Sequence, residues 1–376
     1  MADTDIRWIT DDQSLREACA HWQQQPVLAL DTEFMRTETF YPEAGLIQLS
    51  DGHTVWLLDP LPITAWQPFA QWLESPSTLK VLHSCSEDLE VLQRLCAALP
   101  TPLFDTQLAA AFLGLGHSMG YARLVQEVLG LELPKGETRS DWLQRPLSEM
   151  QIRYAAEDTL HLFELYQALE ARLDATKRGW LLDDCAEQIA AARLSKDPRE
   201  AYLDVKLAWK LRPQQLAVLR ELCAWRETEA RRRNVARNRL LRERSLWPLA
   251  RFQPDNLVAL ARIEDMHPRT VRQDGETLLQ LMAAGRAVPQ SDWPETPEPP
   301  MGPEVSAVLK RLRNIGKAKA EQLAMAPEIM LRKKALEGLL RSGYKDGDYR
   351  LPDDFNGWRK ELFGEQLLAE LNGEPA

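Results

Sequence analysis

The stretch Val27-Leu28-Ala29-Leu30-Asp31-Thr32-Glu33-Phe34 decides the reading of this chain. Four apolar residues run into a carboxylate, a spacer and a second carboxylate. An unbroken apolar run of this kind reads as a strand buried on both faces. Side chains alternate along a strand, so Asp31 and Glu33 point to the same side. Two carboxylates so placed repel each other unless a cation sits between them. The same pattern also arises where a strand merely runs out into solvent, so the rest of the chain has to decide.

Around this strand the pattern is β-rich to residue 60 and then alternating. Ile6–Ile9, Leu46–Leu49 and Thr54–Leu58 read as strands, with Asp51-Gly52 as a hairpin signal. Thr78–His83 reads as another strand. Helices are expected at 11–24, 66–73, 87–99, 105–113 and 121–129. Residues 147–173 carry the longest helical period of this half, with Ser148 and Gln151 at capping-box spacing. Adjacent antiparallel strands followed by alternating helices and strands predict an α/β domain with a mixed sheet. Beyond Gly179 the chain is nearly all helical. A Pro-rich stretch at 286–303 reads as a semi-rigid linker between two helical blocks.

Composition narrows the classes. At 376 residues and 44% hydrophobic content, the chain can build two or three domains. A net charge of -10 argues against a uniformly basic coat for nucleic acid, though not against local patches. An acidic N-terminus without an apolar h-region points away from a secretory leader, and no stretch has the apolar length of a membrane span. Five cysteines without a CxxC pair fit reduced thiols and a cytoplasmic location. No obligate protein partner is evident.

Three further positions join the first carboxylate pair. Asp88 stands in the first turn of a helix that follows directly on a strand. Tyr154 and Asp158 lie four apart, on one helix face. An Asp, Glu, Asp, Asp set with a Tyr is a hard-oxygen site suited to Mg²⁺ or Mn²⁺. Two such ions can clamp the attacking and leaving oxygens of a phosphodiester, and the Tyr hydroxyl can orient water.

These residues resemble a family. Asp31-Thr32-Glu33-Phe34, His83-x-x-x-x-Asp88-Leu89 and Tyr154-x-x-x-Asp158 are similar to the three motifs of the DEDDy 3′→5′ exonucleases. Arg36-Thr37, Phe40-Tyr41-Pro42, Gly45-Leu46-Ile47-Gln48-Leu49 and Asp141-Trp142-Leu143-x-Arg145-Pro146-Leu147 resemble bacterial ribonuclease D. The resemblance covers nearly the whole chain, most specifically through residue 175. It implies a ribonuclease H-like α/β nuclease domain at 1–175, a first HRDC-type helical domain at 210–290 and a more divergent HRDC-like one at 304–376. It further implies catalysis by Asp31, Glu33, Asp88, Tyr154 and Asp158. Two divalent cations would be held by Asp31, Glu33, Asp88 and Asp158. The expected substrate is RNA, typically tRNA precursors with a 3′ trailer, trimmed to 5′-mononucleotides. A DNA exonuclease and a catalytically dead binding protein remain alternatives; the intact set of five speaks against the second.

Other positions admit two readings. Phe34 is either a platform for the terminal base or core. His83 is either an RNA contact or a structural histidine. Arg139, Asp141 and Trp142 either border the RNA path or pack a loop. Arg226–Arg244 holds eight arginines against three glutamates, and Arg231, Arg232, Arg233 and Arg237 are its candidate RNA contacts. A solvated helix with internal ion pairs is the other reading. Lys310, Arg311, Arg313, Lys317 and Lys319 surround Asn314-Ile315-Gly316, read as a Gly-bearing turn able to hold phosphate.

Overall fold

The computed structural model describes residues 5–133, 137, 140–344, 347–353 and 355–372. They form two compact units: residues 1–35, 43–193 and 301–376, and residues 36–42 with 194–300.

The first unit begins with β1 (Asp5–Ile9), α1 (Asp12–Trp22), β2 (Val27–Met35), β3 (Glu43–Ser50) and β4 (Thr54–Leu58). It continues with α2 (Gln67–Leu73), β5 (Leu79–Leu82), α3 (Ser86–Cys96), β6 (Leu103–Asp105), α4 (Thr106–Phe112) and α5 (Tyr121–Leu129). Two long helices follow, α6 (Glu149–Glu170) and α7 (Ala175–Arg193). The six strands form one mixed sheet in the order β1-β4-β3-β2-β5-β6. As its apolar run implied, β2 is central, antiparallel to β3 and parallel to β5, with Leu28, Ala29 and Leu30 fully buried. Since β2, β5 and β6 are parallel, their carboxyl ends share one edge, and α3 and α4 start from it.

At that edge the ladder between β2 and β3 slips. Glu33 lies opposite Leu46, but Phe34 lies opposite Ala44, leaving Gly45 as the extra residue of a bulge. A side chain there would collide with Trp142, whose Cβ and carbonyl oxygen would stand 2.6 Å from an added Cβ. Ser148 and Gln151 form the anticipated capping box: Gln151 N donates to Ser148 Oγ and Ser148 N to Gln151 Oε1. The apolar stripe of α6, including Ala155, Leu162, Leu165 and Leu169, is buried, and Tyr154 and Asp158 lie on that same inward side of the helix, where Leu162 joins them in lining the sheet-edge pocket.

The second unit contains α8 (Pro213–Arg233), α9 (Arg237–Leu240), α10 (Glu243–Phe252), α11 (Leu257–Leu260) and α12 (Pro268–Ala287). Leu216, Leu219, Leu222, Leu246, Leu249, Leu278 and Met282 form its core. Gly285 lets α12 approach α8, since a Cβ there would stand 2.5 Å from Val218 Cα.

The chain then returns to the first unit as α13 (Val305–Leu323), α14 (Lys333–Ser342) and α15 (Gly357–Asn372). The sequence suggested a separate module at 304–376, but these helices share the hydrophobic core of the nuclease half. The reason is visible at α7. Arg359 clamps Asp184 through two 2.6 Å bonds, and Trp358 stacks on Trp180 at 5.0 Å. Ala326 N donates to Ala111 O at 2.8 Å. The nuclease unit thus also extends past residue 175 to Arg193 and excludes 36–42. Asn314-Ile315-Gly316 lies within α13, not in a turn, and Gly316 faces Leu331. The α13–α14 layout nonetheless repeats that of α8–α10. Asn234 and Ala324 end their helices in the left-handed conformation, and Leu241-Arg242 and Leu331-Arg332 lead into the next helix at matching spacing.

The Asp184–Arg359 pair is buried, so removing Arg359 leaves the Asp184 charge only the longer contacts to half-exposed Arg332 at 3.3 Å and to Trp358 Nε1 at 3.1 Å. Arg359→Met is expected to cost about 3 kcal/mol, read as a lower urea midpoint. Replacing both Asp184 and Arg359 with Leu is expected to cost less. Equal midpoints for wild type and Arg359→Met would show that the pair does not hold the C-terminal helices in place.

Candidate active site

At the carboxyl edge of the sheet lies a pocket of about 290 Å³. Asp31, Thr32, Glu33 and Phe34 line it from β2, His83 and Ser84 from the turn after β5, and Glu87 and Asp88 from α3. Tyr121 of α5 and Tyr154, Asp158 and Leu162 of α6 complete it. All five residues expected to carry catalysis therefore meet in one place, from segments more than 120 positions apart in the chain. No Lys or Arg lines the pocket among the described residues.

Each carboxylate is oriented by a neighbour. Thr32, between the two acids of β2, donates its hydroxyl to Asp88 Oδ1 at 2.5 Å. Tyr154 donates its phenol to the Asp158 side chain, and Tyr121 its phenol to the Asp158 carbonyl at 2.5 Å. Asp88 also depends on Asp105 at the end of β6. Asp105 accepts the backbone N–H groups of Ser84 and Cys85 at 3.0 and 3.2 Å, fixing the turn into α3 in which Ser84 has φ +55°. The same carboxylate caps α4 through Gln107 N.

The electrostatics follow from burial and crowding. Burial, then repulsion from Asp88, Glu33 and Asp158, raises Asp31 well above the usual carboxylate range. Burial and repulsion from Asp158 and Asp88 push Glu33 up to about 8. Burial raises Asp88 to about 7, against the Thr32 hydrogen bond, and Asp158 to about 6, against that of Tyr154. Tyr154 is raised by burial and by Asp158, so its phenol keeps its proton at neutral pH. The donor set is all oxygen, as Mg²⁺ or Mn²⁺ prefers, and its negative charge lacks a cationic side chain. Among the described residues no three such side chains are drawn in tightly enough to cage an ion by themselves.

Comparison with known proteins fits this geometry. A 3′-5′ exonuclease family model matches residues 6–174, and an HRDC domain model matches residues 215–282. Ribonuclease D of Pseudomonas paraeruginosa is 62% identical over 367 residues, covering 98% of each chain. The chain belongs to the ribonuclease D family. Ribonuclease D of Escherichia coli K12 is 38% identical over 98% of each chain. The crystal structure of Escherichia coli RNase D, described as an exoribonuclease involved in structured RNA processing, superposes with a TM-score of 0.90 at 37% identity over 99% of this chain and 100% of that one. As a member of the ribonuclease D family the chain is a 3′→5′ exoribonuclease, with RNA as its substrate.

The other candidates divide. Phe34 is half-buried and lines the pocket. His83 lines it too, but its ring nitrogens are engaged by Thr106 Oγ1 at 2.9 Å and Met119 O at 3.1 Å. Burial lowers its pKa, so it forms a neutral wall. Trp142 is core and Asp141 is exposed; Arg139 lies outside the described residues.

The arginine helix corrects the sequence count. Arg231 and Arg237 pair with Glu227, and Arg232 and Arg233 with Glu229. Acids remote in sequence reduce the apparent excess: Asp274 takes Arg233, Glu38 takes Arg239, and Asp265 is shared by Arg242 and Arg244. Arg226 is buried and donates to Leu241 O and Asn238 Oδ1. The unpaired charge on which an RNA-facing reading of Arg231, Arg232, Arg233 and Arg237 rested is thus smaller than the sequence count implied, while Arg232 and Arg244 stay exposed. Thr32, Tyr121 and Asp105 were missed, since a lone Thr, Tyr or Asp carries no spacing signal.

A carboxyl whose folded pKa stands above its unfolded value binds its proton more tightly when folded. Its folded-state penalty therefore appears as pH rises through the unfolded value, about 4, and is complete above the folded value, about 8 for Glu33. In chelator, the protein is expected to lose stability from pH 5 to pH 8. Asp31→Asn, which removes one repelling charge, is expected to be more stable at pH 8 by about 1–3 kcal/mol. Denaturant titrations at both pH values check it. A pH-independent gap would mean that the carboxylates do not repel.

Proposed function

We propose that this pocket hydrolyses the 3′-terminal phosphodiester of RNA with the help of two divalent cations, trimming tRNA precursors among its substrates and releasing 5′-mononucleotides. The observation carrying the reading is the meeting of four crowded carboxylates, Asp31, Glu33, Asp88 and Asp158, with the more exposed Glu87 beside them, in a pocket that no Lys or Arg lines among the described residues. Asp31, Glu33 and Asp158 would hold one Mg²⁺ or Mn²⁺ and Asp31 with Asp88 a second, and such ions neutralise phosphate charge and acidify water when bound. The phenol of Tyr154, held by Asp158 and kept protonated, orients the attacking water as a hydrogen-bonding group rather than a phenolate base. Water adds to phosphorus, the bond to the 3′ oxygen breaks, and that oxygen takes up a proton. Phe34, at the pocket rim, offers a ring on which the terminal base can stack.

The five cysteines, all free, suit a reducing cytoplasm, and no described helix is long and apolar enough to cross a membrane. The repeated layout of α8–α10 and α13–α14 supports reading the last block as a divergent second HRDC-type module merged into the nuclease core.

Asp31→Asn or Asp158→Asn is expected to abolish hydrolysis of a short RNA while leaving the fold intact. Near-normal turnover of Asp31→Asn in Mg²⁺ would remove the two-cation reading. Matched RNA and DNA oligonucleotides, free or blocked at the 3′ end, test the substrate class.

Tyr154→Phe is expected to lower kcat by on the order of 10²-fold with a much smaller change in KM. An unchanged single-turnover rate would make Tyr154 a packing residue.

A further inference from the structure

Asp105, Thr106 and Gln107 follow one another where β6 gives way to α4, and none of the three lines the pocket. Asp105 is buried, and its carboxylate serves two helices at once. Oδ1 accepts Gln107 N at 2.8 Å, at the start of its own helix α4, and Ser84 N at 3.0 Å, just ahead of α3; Oδ2 accepts Cys85 N at 3.2 Å. The start of α3 needs this outside help. Cys85, the residue before its first turn, has helical dihedrals (φ -64°, ψ -1°) and makes no side-chain cap. A residue that caps with its own side chain is normally extended there. Asp88 is the third residue of that helix, so where α3 starts decides where Asp88 stands.

The next two residues reach the other side of the pocket. Gln107 Nε2 donates to Met119 O at 2.9 Å, and His83 Nε2 donates to the same carbonyl at 3.1 Å. Thr106 Oγ1 meets the other ring nitrogen of His83 at 2.9 Å. Met119 stands two residues before Tyr121, the first residue of α5, whose phenol donates to Asp158 O. The His83 ring also lies 5.4 Å from that of Tyr121. We propose that Asp105-Thr106-Gln107 is the positioning element of this site. Asp105 sets the start of α3 and with it Asp88. Thr106 and Gln107, through His83 and Met119, set the start of α5 and with it the grip of Tyr121 on Asp158. Two of the four mutually repelling carboxylates are thereby fixed from one tripeptide, at the end of a strand that contributes no side chain to the pocket. Every link lies within the sheet-bearing unit. This rests on the reading of the pocket as the catalytic centre, with Asp88 and Asp158 as cation ligands.

The test uses the full-length protein, Mn²⁺ and a short unstructured RNA under single-turnover conditions, with the Mn²⁺ affinity of the RNA-free protein measured separately by calorimetry. Asp105→Asn keeps the size of the side chain but sets an N–H donor against a backbone N–H that needs an acceptor. It is expected to lower the rate constant by about 10-fold, because small displacements of positioned groups cost that much or more. Mn²⁺ binding should weaken by a similar factor. Affinity for the oligonucleotide should stay within about 2-fold, since the groups that touch it are unchanged. Thr106→Val and Gln107→Met, close in shape but without these hydrogen bonds, should slow cleavage in the same direction, and they decide the matter if Asp105→Asn does not fold. Thr106→Ser, which keeps the hydroxyl, should restore the rate. Arg359→Met, destabilised in the same unit but far in sequence from these residues, should cleave at the full rate. A full rate or an unchanged Mn²⁺ affinity for Asp105→Asn overturns the proposal. So do full rates for both Thr106→Val and Gln107→Met, and so does an equal loss of rate in Arg359→Met at matched fraction folded, which would reduce the effect to stability alone. Asp31→Asn in the same assay separates the two levels. An active Asp31→Asn protein overturns the catalytic reading itself, whereas an inactive one beside full-rate Asp105→Asn overturns only the positioning element.

Discussion

Four carboxylates crowded into one pocket repel each other, and much of the architecture around the sheet edge serves to hold them there. Asp31 and Glu33 arrive on the central strand, whose residues Leu28, Ala29 and Leu30 are fully buried on both faces between β3 and β5. Asp88 is held by the Thr32 hydroxyl and by a helix start that Asp105 fixes. Asp158 is held by two phenols on separate helices. Such preorganisation is costly to the fold, because each group would be more easily ionised in water. It suits the proposed task of presenting negative charge to cations that would in turn neutralise a phosphodiester.

Stability must then come from elsewhere in the unit. The sheet core and the aromatic cluster of Trp22, Trp56, Phe69 and Trp72 provide apolar burial. The C-terminal helices add their own apolar faces to the same core and close on α7 through Asp184 and Arg359. The last block is thus a structural part of the nuclease unit, whatever surface it also offers to RNA.

The arginine-rich helix shows how charge counted along a sequence differs from charge in space. Eight arginines against three glutamates looked like a large excess, yet Glu38, Asp265 and Asp274 return to the same region from distant positions. What remains is a set of ion pairs with a smaller excess, in which Arg231 and Arg237 also lie over the Phe40 ring.

The sequence by itself determined the central strand and the mixed sheet, which follow from local periodicity, and it singled out the five acidic and phenolic residues through the resemblance of their three motifs to a nuclease family. Asp31 and Glu33 share a side of a strand, and Tyr154 and Asp158 a face of a helix, before any tertiary contact forms. The capping box of α6 was legible for the same reason. Tertiary structure alone decided the partners. That Thr32 would reach Asp88, that Tyr121 would close on Asp158, and that Asp105 would fix the turn into α3 depend on loops folding back over long separations. It also decided that 301–376 joins the nuclease core and that 36–42 leaves it. The physical reason is common to both: an apolar face or an unpaired charge is visible in sequence, but what covers or neutralises it comes from residues that only folding brings near.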